Sequence, residues 1–326
     1  YKRQFPVDEV KQCAEMGFLG ICVPEEYGGA GMDHLSDILV MEQIARHSSS
    51  LASIIDAHAS LGSTPILLAG TEEQKQKYLV PLAKGEKLGA FGLTEPGAGT
   101  DAQGQQTKAV LDGDEWVLNG SKVFITNGKE ADIYVIIAVT GVVEVKGRKK
   151  KEISAFIVEK GTPGFTFGTK EKKMGIRGSA TYELIFTDCR IPKENLLGQK
   201  GKGFHIAMHT LDGGRIGIAS QALGLAEGAL ERTVDYVKER KQFGRAIGQF
   251  QNTQFQLADM ATKVKAAQLL VYRAAVAKKT QKTYSVEAAM AKLYAAEVAM
   301  EVTTKAVQLH GGYGLSLIHI SEPTRP

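Results

Sequence analysis

From Val7 to about Lys84 apolar residues recur at three-and-four spacing, as at Ile38, Met41, Ile44 and Ala45. That period puts one apolar stripe on a helix and predicts an all-helical first domain over residues 1–87. Gly28-Gly29 and Thr64-Pro65 read as breaks in it. Thr71 followed by Gln74 fits a capping box, opening a short helix that ends near Gly85.

Between Leu88 and Leu197 the pattern becomes β-rich. The segments Trp116 to Leu118, Val123 to Thr126, Ile133 to Val139 and Ile153 to Val158 are separated by Asp112-Gly113, Asn119-Gly120 and Pro163-Gly164. A compact antiparallel sheet or β-barrel domain is predicted over 88–197. After Gly203 the helical period returns in three long stretches: Leu223, Ala226, Leu230, Val234 and Val237; Met260, Val264, Ala267, Val271 and Ala274; Ala289, Leu293, Ala296, Met300, Thr303 and Val307. Ser285 is placed to cap the third, with Glu287 in its first turn. The fold class is therefore α+β: an N-terminal helical domain, a middle antiparallel β-barrel domain and a C-terminal helical bundle over 198–315. Three such helices leave an apolar stripe for a fourth, so the bundle reads as incomplete.

Composition adds exclusions. The 326 residues are 43% hydrophobic and 23% charged with a net charge of +4, an ordinary globular balance with too little basicity for a nucleic-acid partner. The dense run Arg148-Lys149-Lys150-Lys151 reads as a solvated loop. No run of about 18 apolar residues is evident, so no membrane span is expected, and Tyr1 starts inside an amphipathic pattern rather than a signal peptide. Cys13, Cys22 and Cys189 are scattered, without CxxC spacing, and read as inert thiols of a reducing compartment. His205 and His209 lie four apart but lack a third ligand, and His34, His47, His58 and His310 show no constellation, so no metal is expected.

The chemistry concentrates in two polar turns. Gly92-Leu93-Thr94-Glu95-Pro96-Gly97-Ala98-Gly99-Thr100-Asp101 is followed by Phe124-Ile125-Thr126-Asn127. Both combine small hydroxyls with backbone amides made accessible by Gly or Pro, which suits hydrogen bonding to a flat ring system and its phosphates. The loose GxGxxA pattern from Gly97 to Ala102 is not a dinucleotide fingerprint, because Pro96 precedes it and a strand follows.

These turns resemble the acyl-CoA dehydrogenase family, and the likeness continues through Met174-Gly175-Ile176-Arg177, Thr210-Leu211-Asp212-Gly213-Gly214-Arg215-Ile216, Arg240-Lys241-Gln242-Phe243-Gly244 and Gln308-Leu309-His310-Gly311-Gly312. The wording is nearest the short-chain members. The resemblance implies FAD as cofactor, an acyl-CoA substrate, butyryl-CoA first, and an electron-transfer flavoprotein as acceptor. It implies that Phe91, Leu93, Thr94, Gly99 and Thr100 line the flavin, with Thr100 also facing CoA. Phe124 and Ile125 would then flank the ring, Phe124 covering one face, and Thr126 would bond near its reactive edge. Arg240, Phe243 and Gln251 would reach the pyrophosphate, and Gln308, Gly311 and Gly312 the adenine end, of a neighbouring subunit's FAD. A homo-oligomer, in the form of a dimer of dimers, follows. Asp212, Gly213, Gly214 and Arg215 would line the acyl-CoA channel.

Taking a proton from the α-carbon requires a base. Some family members carry a glutamate immediately before the arginine matching Arg215, where this chain has Gly214. Short-chain members carry it about 120 residues later, beyond Pro326. No catalytic base is therefore expected within the chain, and as written it is expected to be inactive. Residues 316–326 do not continue the family pattern, and a further helix is expected ahead of Tyr1, so the sequence reads as a gene fragment. An acyl-CoA oxidase of the same fold and a non-catalytic flavin- or acyl-CoA-binding module are the alternatives. Bacterial cytoplasm or mitochondrial matrix is the expected location.

Overall fold

The computed structural model describes residues 4–145 and 147–315, which divide into two compact units. One holds the chain up to Asp37 together with Ser53–Gly214; the other holds Ile38–Ala52 and the residues from Arg215 on. The tail read as foreign to the family, 316–326, lies outside the described residues.

The first unit is built on a curled sheet of β1 (Gly89–Gly92), β2 (Lys108–Asp112), β3 (Glu115–Thr126), β4 (Ile133–Val145), β5 (Arg148–Glu159), β6 (Phe165–Lys170), β7 (Thr181–Pro192) and β8 (Leu196–Leu197). The order is β6-β7-β3-β2-β4-β5-β8, with β1 beside β4. Pairing is mostly antiparallel, as expected, but β1 and β2 both run parallel to β4. The barrel expectation resolves into a curled sheet whose path ends at β6 and β8.

β4 explains why its apolar run is continuous. Ile133, Val135 and Ile137 face a core shared with Phe91, Leu93 and the helical residues Ile66, Leu79 and Leu82. Tyr134, Ile136 and Ala138 point the other way, into a core with Trp116, Phe156, Phe165 and Phe186. Side chains alternate along a strand, so only a strand covered on both faces can be apolar at every position.

Several expected punctuation marks behave differently. Asp112-Gly113 does turn β2 into β3, with Gly113 at φ 63°. Asn119-Gly120 instead lies inside β3, at a register shift that absorbs one extra residue without ending the strand. The Arg148 to Lys151 run opens β5 rather than forming a loop; Lys151 Nζ donates to the carbonyls of Gly104 (3.0 Å) and Gln105 (2.7 Å).

The helical run Ser49–Ala69 passes through Thr64-Pro65 without breaking. A π-helical stretch, Ala57–Ser63, precedes the proline, and both the backbone N–H and the hydroxyl of Thr64 (2.9 Å) donate to Ala59 O. Reading it as broken also hid its length: this helix is long and apolar enough to cross a membrane, and 61% of its most apolar window is buried inside the protein. The capping box at Thr71 is present, with Gln74 N bonded to Thr71 Oγ1 (3.2 Å) and Thr71 N to Gln74 Oε1 (3.1 Å).

The second unit contains most of the helix Gly203–Glu239, the helices Gln251–Thr280 and Ser285–Leu309, and the segment 38–52. The predicted faces at Leu223, Ala226 and Val237, and from Met260 to Ala274, are buried. On the last helix the face is offset by one residue. Ala288, Ala291, Ala295, Val298, Val302 and Ala306 pack inward, while Leu293 (61% exposed) and Met300 (71%) point out. Small alanines let two helices approach closely, so they win the interface over larger apolar residues. Ser285 is the first residue of this helix, and Tyr284 occupies the cap position without a side-chain bond to the helix's first turn.

Candidate functional site

The two polar turns meet in the first unit. β1 continues into Leu93 and Thr94, and Val123 N donates to Thr94 O (2.8 Å), pinning the end of β1 beside late β3. Just beyond, the β3–β7 ladder shifts register between Lys122 and Ile125. The shift throws Phe124 into a left-handed conformation (φ 60°) and leaves its ring 64% exposed. A bulge re-aims a side chain in this way, here turning an aromatic ring outward in a conformation that costs free energy.

A helical wall faces these turns. Gly62, in the π-helical stretch, touches Gly89 at the start of β1; a Cβ on Gly62 would stand 2.8 Å from Gly89 Cα. Gly89 N donates to Nδ1 of the fully buried His58 (3.0 Å), and Asn127 Nδ2 donates to Ile54 O (3.0 Å). Burial drives the His58 imidazole down to about 4, although nearby backbone carbonyls oppose it, so the ring is neutral at pH 7.

Between wall and turns lies a cavity of about 150 Å³, lined by Ala57, Leu61, Phe91, Leu93, Thr94, Phe124, Ile125, Thr126 and Leu211. Six of the predicted residues, Phe91, Leu93, Thr94, Phe124, Ile125 and Thr126, are thus brought together. Gly99 and Thr100 are exposed on the loop beyond the tight turn Glu95–Ala98 and are not among the lining residues. Ala57, Leu61 and Leu211 were missed; Leu211 sits beside Asp212 in a motif already singled out, but nothing in the sequence marks the helical wall. None of the nine described lining residues is titratable.

Beneath the loop is an ion pair the sequence reading also missed. Lys122 Nζ donates to Glu95 Oε1 (2.7 Å), Leu93 O (3.0 Å) and Gln105 Oε1 (3.1 Å). Glu95 also accepts from the backbone amides of Thr107 (3.0 Å) and Gln106. Burial pushes the Glu95 carboxyl up, but the Lys122 ammonium and these amides reverse the effect and hold it below the usual carboxylate range. Burial brings Lys122 down to about 8 against the pull of Glu95. Glu95 is thus committed to shaping the loop.

The expected channel residues Asp212, Gly213, Gly214 and Arg215 are interior residues of the helix Gly203–Glu239. A Cβ on Gly214 would stand 3.0 Å from Leu61 Cδ2, next to the cavity wall.

The second unit carries a cavity of about 470 Å³ lined by Tyr236, Arg240, Gln242, Ile247, Leu309, His310, Gly311, Gly312 and Tyr313. The helix ends at Glu239 and a two-stranded hairpin follows, β9 (Lys241–Gln242) and β10 (Arg245–Ala246). Arg240 and Gly311-Gly312, about 70 residues apart in sequence, therefore face one space. The Arg240 guanidinium lies 5.4 Å from the Tyr313 ring centre, and Tyr236 stacks on His310 at 4.3 Å. His310, read as having no constellation, is part of this one. Phe243 (φ 54°) is 92% exposed at the hairpin tip; Gln251 and Gln308 are also exposed, and all three stand outside the lining.

The first cavity has the chemistry a flavin ring needs: apolar walls for its faces, two threonine hydroxyls and a bulged backbone for its polar edge, and no competing charge. An arginine fork beside two adjacent glycines suits a phosphate chain approaching closely.

Comparison with known proteins agrees with this chemistry. The descriptions "Acyl-CoA dehydrogenase, N-terminal domain", "middle domain" and "C-terminal domain" match residues 1–86, 90–189 and 201–322. A short-chain-specific acyl-CoA dehydrogenase of Clostridium acetobutylicum is 57% identical over 311 residues, covering 95% of this chain and 81% of that protein. The solved structure of butyryl-CoA dehydrogenase from Megasphaera elsdenii superposes with a TM-score of 0.93 at 52% identity, covering 97% of this chain and 82% of that one. A chain in a structure described as the electron transferring flavoprotein of Acidaminococcus fermentans superposes with a TM-score of 0.93 at 57% identity, covering 98% and 83%. The chain belongs to the acyl-CoA dehydrogenase family, whose fold of N-terminal helices, curled middle sheet and C-terminal helices it shares.

Proposed function

We infer that the chain takes part in the α,β-dehydrogenation of a short-chain acyl-CoA, butyryl-CoA first, to the trans-2-enoyl-CoA, with electrons passing to an electron-transfer flavoprotein. The observation that carries this reading is the convergence of Phe91, Leu93, Thr94, Phe124, Ile125 and Thr126 on one uncharged cavity. The cofactor is FAD. When bound, it would supply the two-electron acceptor that dehydrogenation of an acyl thioester needs.

The chain's own residues bind and orient. Phe91, Leu93 and Ile125 exclude water from the ring's surroundings and Phe124 covers one face, while Thr94 and Thr126 offer hydrogen bonds at its polar edge. Gly99 and Thr100 close the loop side, with Thr100 toward CoA. Asp212, Gly213, Gly214 and Arg215 border the acyl-CoA channel, where glycine at 214 keeps the helix close to Leu61. Proton transfer from the α-carbon falls to a group outside the nine described lining residues, since none of them titrates.

Arg240, Phe243, Gln251, Gln308, Gly311 and Gly312 serve the pyrophosphate and adenine end of FAD held by a neighbouring copy, which makes the working form a homo-oligomer, a dimer of dimers. The similarity of bacterial and mitochondrial relatives is consistent with bacterial cytoplasm or mitochondrial matrix.

The test is anaerobic addition of butyryl-CoA to the flavin-loaded chain, followed in the visible spectrum. Bleaching that is restored by an electron-transfer flavoprotein but slowly by O₂ supports the reading. Such bleaching would also place a base within these residues; rapid reoxidation by O₂ would favour an oxidase, bound flavin that stays oxidised is the outcome a missing base predicts, and failure of the chain to hold flavin would contradict the reading.

A further inference from the structure

Away from both cavities, the first unit brings together three side chains of mixed ligand type. Cys22, in the segment after the helix Val7–Glu15, lies with its Sγ 3.8 Å from Nδ1 of His34. The same Nδ1 is 3.4 Å from Oδ2 of Asp37, one turn further along the helix His34–His47. All three ligand atoms lie within 4.8 Å of one another. His34 and Asp37 have only 9% and 10% of their side chains exposed, while Cys22 is half-buried.

Thiol and carboxylate therefore converge on one ring nitrogen. A cation placed between the three would take one ligand atom from each. The spacing suits that cation. Zinc bonds of about 2.3 Å to sulfur and 2.0–2.1 Å to nitrogen and oxygen, set tetrahedrally, put sulfur and nitrogen about 3.6 Å apart and nitrogen and oxygen about 3.3 Å apart. The observed 3.8 and 3.4 Å need only small movements, while the thiol–carboxylate edge, within 4.8 Å, closes by up to about 1.2 Å to reach the roughly 3.6 Å that tetrahedral zinc sets. His34 and Asp37, at i and i+3, share a helix face, and Cys22 approaches from a separate segment, so a bound ion would tie that segment to the start of the helix.

We propose that Cys22, His34 and Asp37 form a binding site for a borderline-soft divalent cation, Zn²⁺ in particular, with water as the fourth ligand. Thiolate, imidazole and carboxylate together favour zinc over calcium or magnesium, which prefer oxygen alone. The expectation that His34 shows no constellation is overturned by this geometry, and the proposal replaces the reading of Cys22 as inert: eleven intervening residues hide a contact that only the folded chain makes.

Equilibrium dialysis of the full flavin-loaded chain against Zn²⁺ alone tests the site. The wild type should take up one equivalent, and Cys22→Ser, which adds no volume and should leave the thermal midpoint unchanged, should weaken uptake by roughly 10–100-fold or more. Independently, Zn²⁺ should slow iodoacetamide alkylation of Cys22 in the wild type at least several-fold, read by peptide mass, and leave the buried Cys13 and Cys189 unaffected. No stoichiometric zinc, uptake unchanged in Cys22→Ser, or alkylation of Cys22 indifferent to Zn²⁺ would each overturn the proposal.

Discussion

Lys122 Nζ lies 2.7 Å from Glu95 Oε1, with both side chains buried and the amides of Gln106 and Thr107 on the same carboxylate. This pair sits under the loop that follows Leu93 and Thr94, so it fixes where those two residues stand. Removing one partner strands a buried charge, at a cost of about 3–5 kcal/mol. Lys122→Met should therefore lower urea stability by that order and reduce flavin occupancy. Adding Glu95→Gln should recover part of both, because the stranded charge is gone. Equal losses in the single and double variants would show that the pair is not coupled.

Phe124 is the clearest case of local cost at the site. A left-handed aromatic residue is disfavoured by about 1–2 kcal/mol, a penalty glycine escapes. Phe124→Gly should raise the urea stability of the flavin-free chain by about 1 kcal/mol and weaken FAD binding. Destabilisation of the flavin-free chain would mean that the exposed ring contributes to the fold instead.

His58 makes stability pH-dependent. Its folded-state value of about 4 lies below the ordinary 6.5, so between those values the unfolded chain binds the proton more tightly. Stability is fully present above pH 6.5 and is lost as pH falls toward 4, by about 3 kcal/mol at about 1.4 kcal/mol for each pH unit. Urea unfolding at pH 7 and pH 4.5 reads this, and His58→Asn should flatten much of the slope.

Glu227 acts in the opposite direction. Burial first, and then the neighbouring Glu42, raise its carboxyl to about 7. The folded state holds this proton more tightly, so stability falls as pH rises from about 4.5 to 7 and stays lower above. Glu227→Gln should raise the thermal midpoint by a few degrees at pH 8 and change it little at pH 4.5. Equal shifts at the two pH values would exclude titration as the cause.

The sequence displays the elements whose signal is periodic or chemical. β4 announces itself through the unbroken apolar run from Ile133 to Val139, the Thr71 capping box through its i,i+3 spacing, and the turns proposed to hold the flavin through Thr94, Phe124 and Thr126. What it hides depends on long-range packing. Thr64-Pro65 reads as a break because the compensating π-helical stretch has no pattern of its own. The inward face of the last helix is set by alanines, and a pattern weighted toward large apolar residues points instead to Leu293 and Met300. Lys122 looks like an ordinary strand cation until Glu95, 27 residues earlier, is folded onto it. Tyr236 belongs to no motif and becomes visible only when His310 stacks against it.

The central claim, that the turns at Leu93-Thr94 and Phe124 to Thr126 hold the flavin ring, is tested most directly by titrating the flavin-free chain with FAD and following the visible spectrum. A saturable spectral change in the wild type, weakened at least tenfold in Thr126→Val while the thermal midpoint of the flavin-free chain is unchanged, is the predicted result. No saturable change, or equal affinity in Thr126→Val, would contradict it.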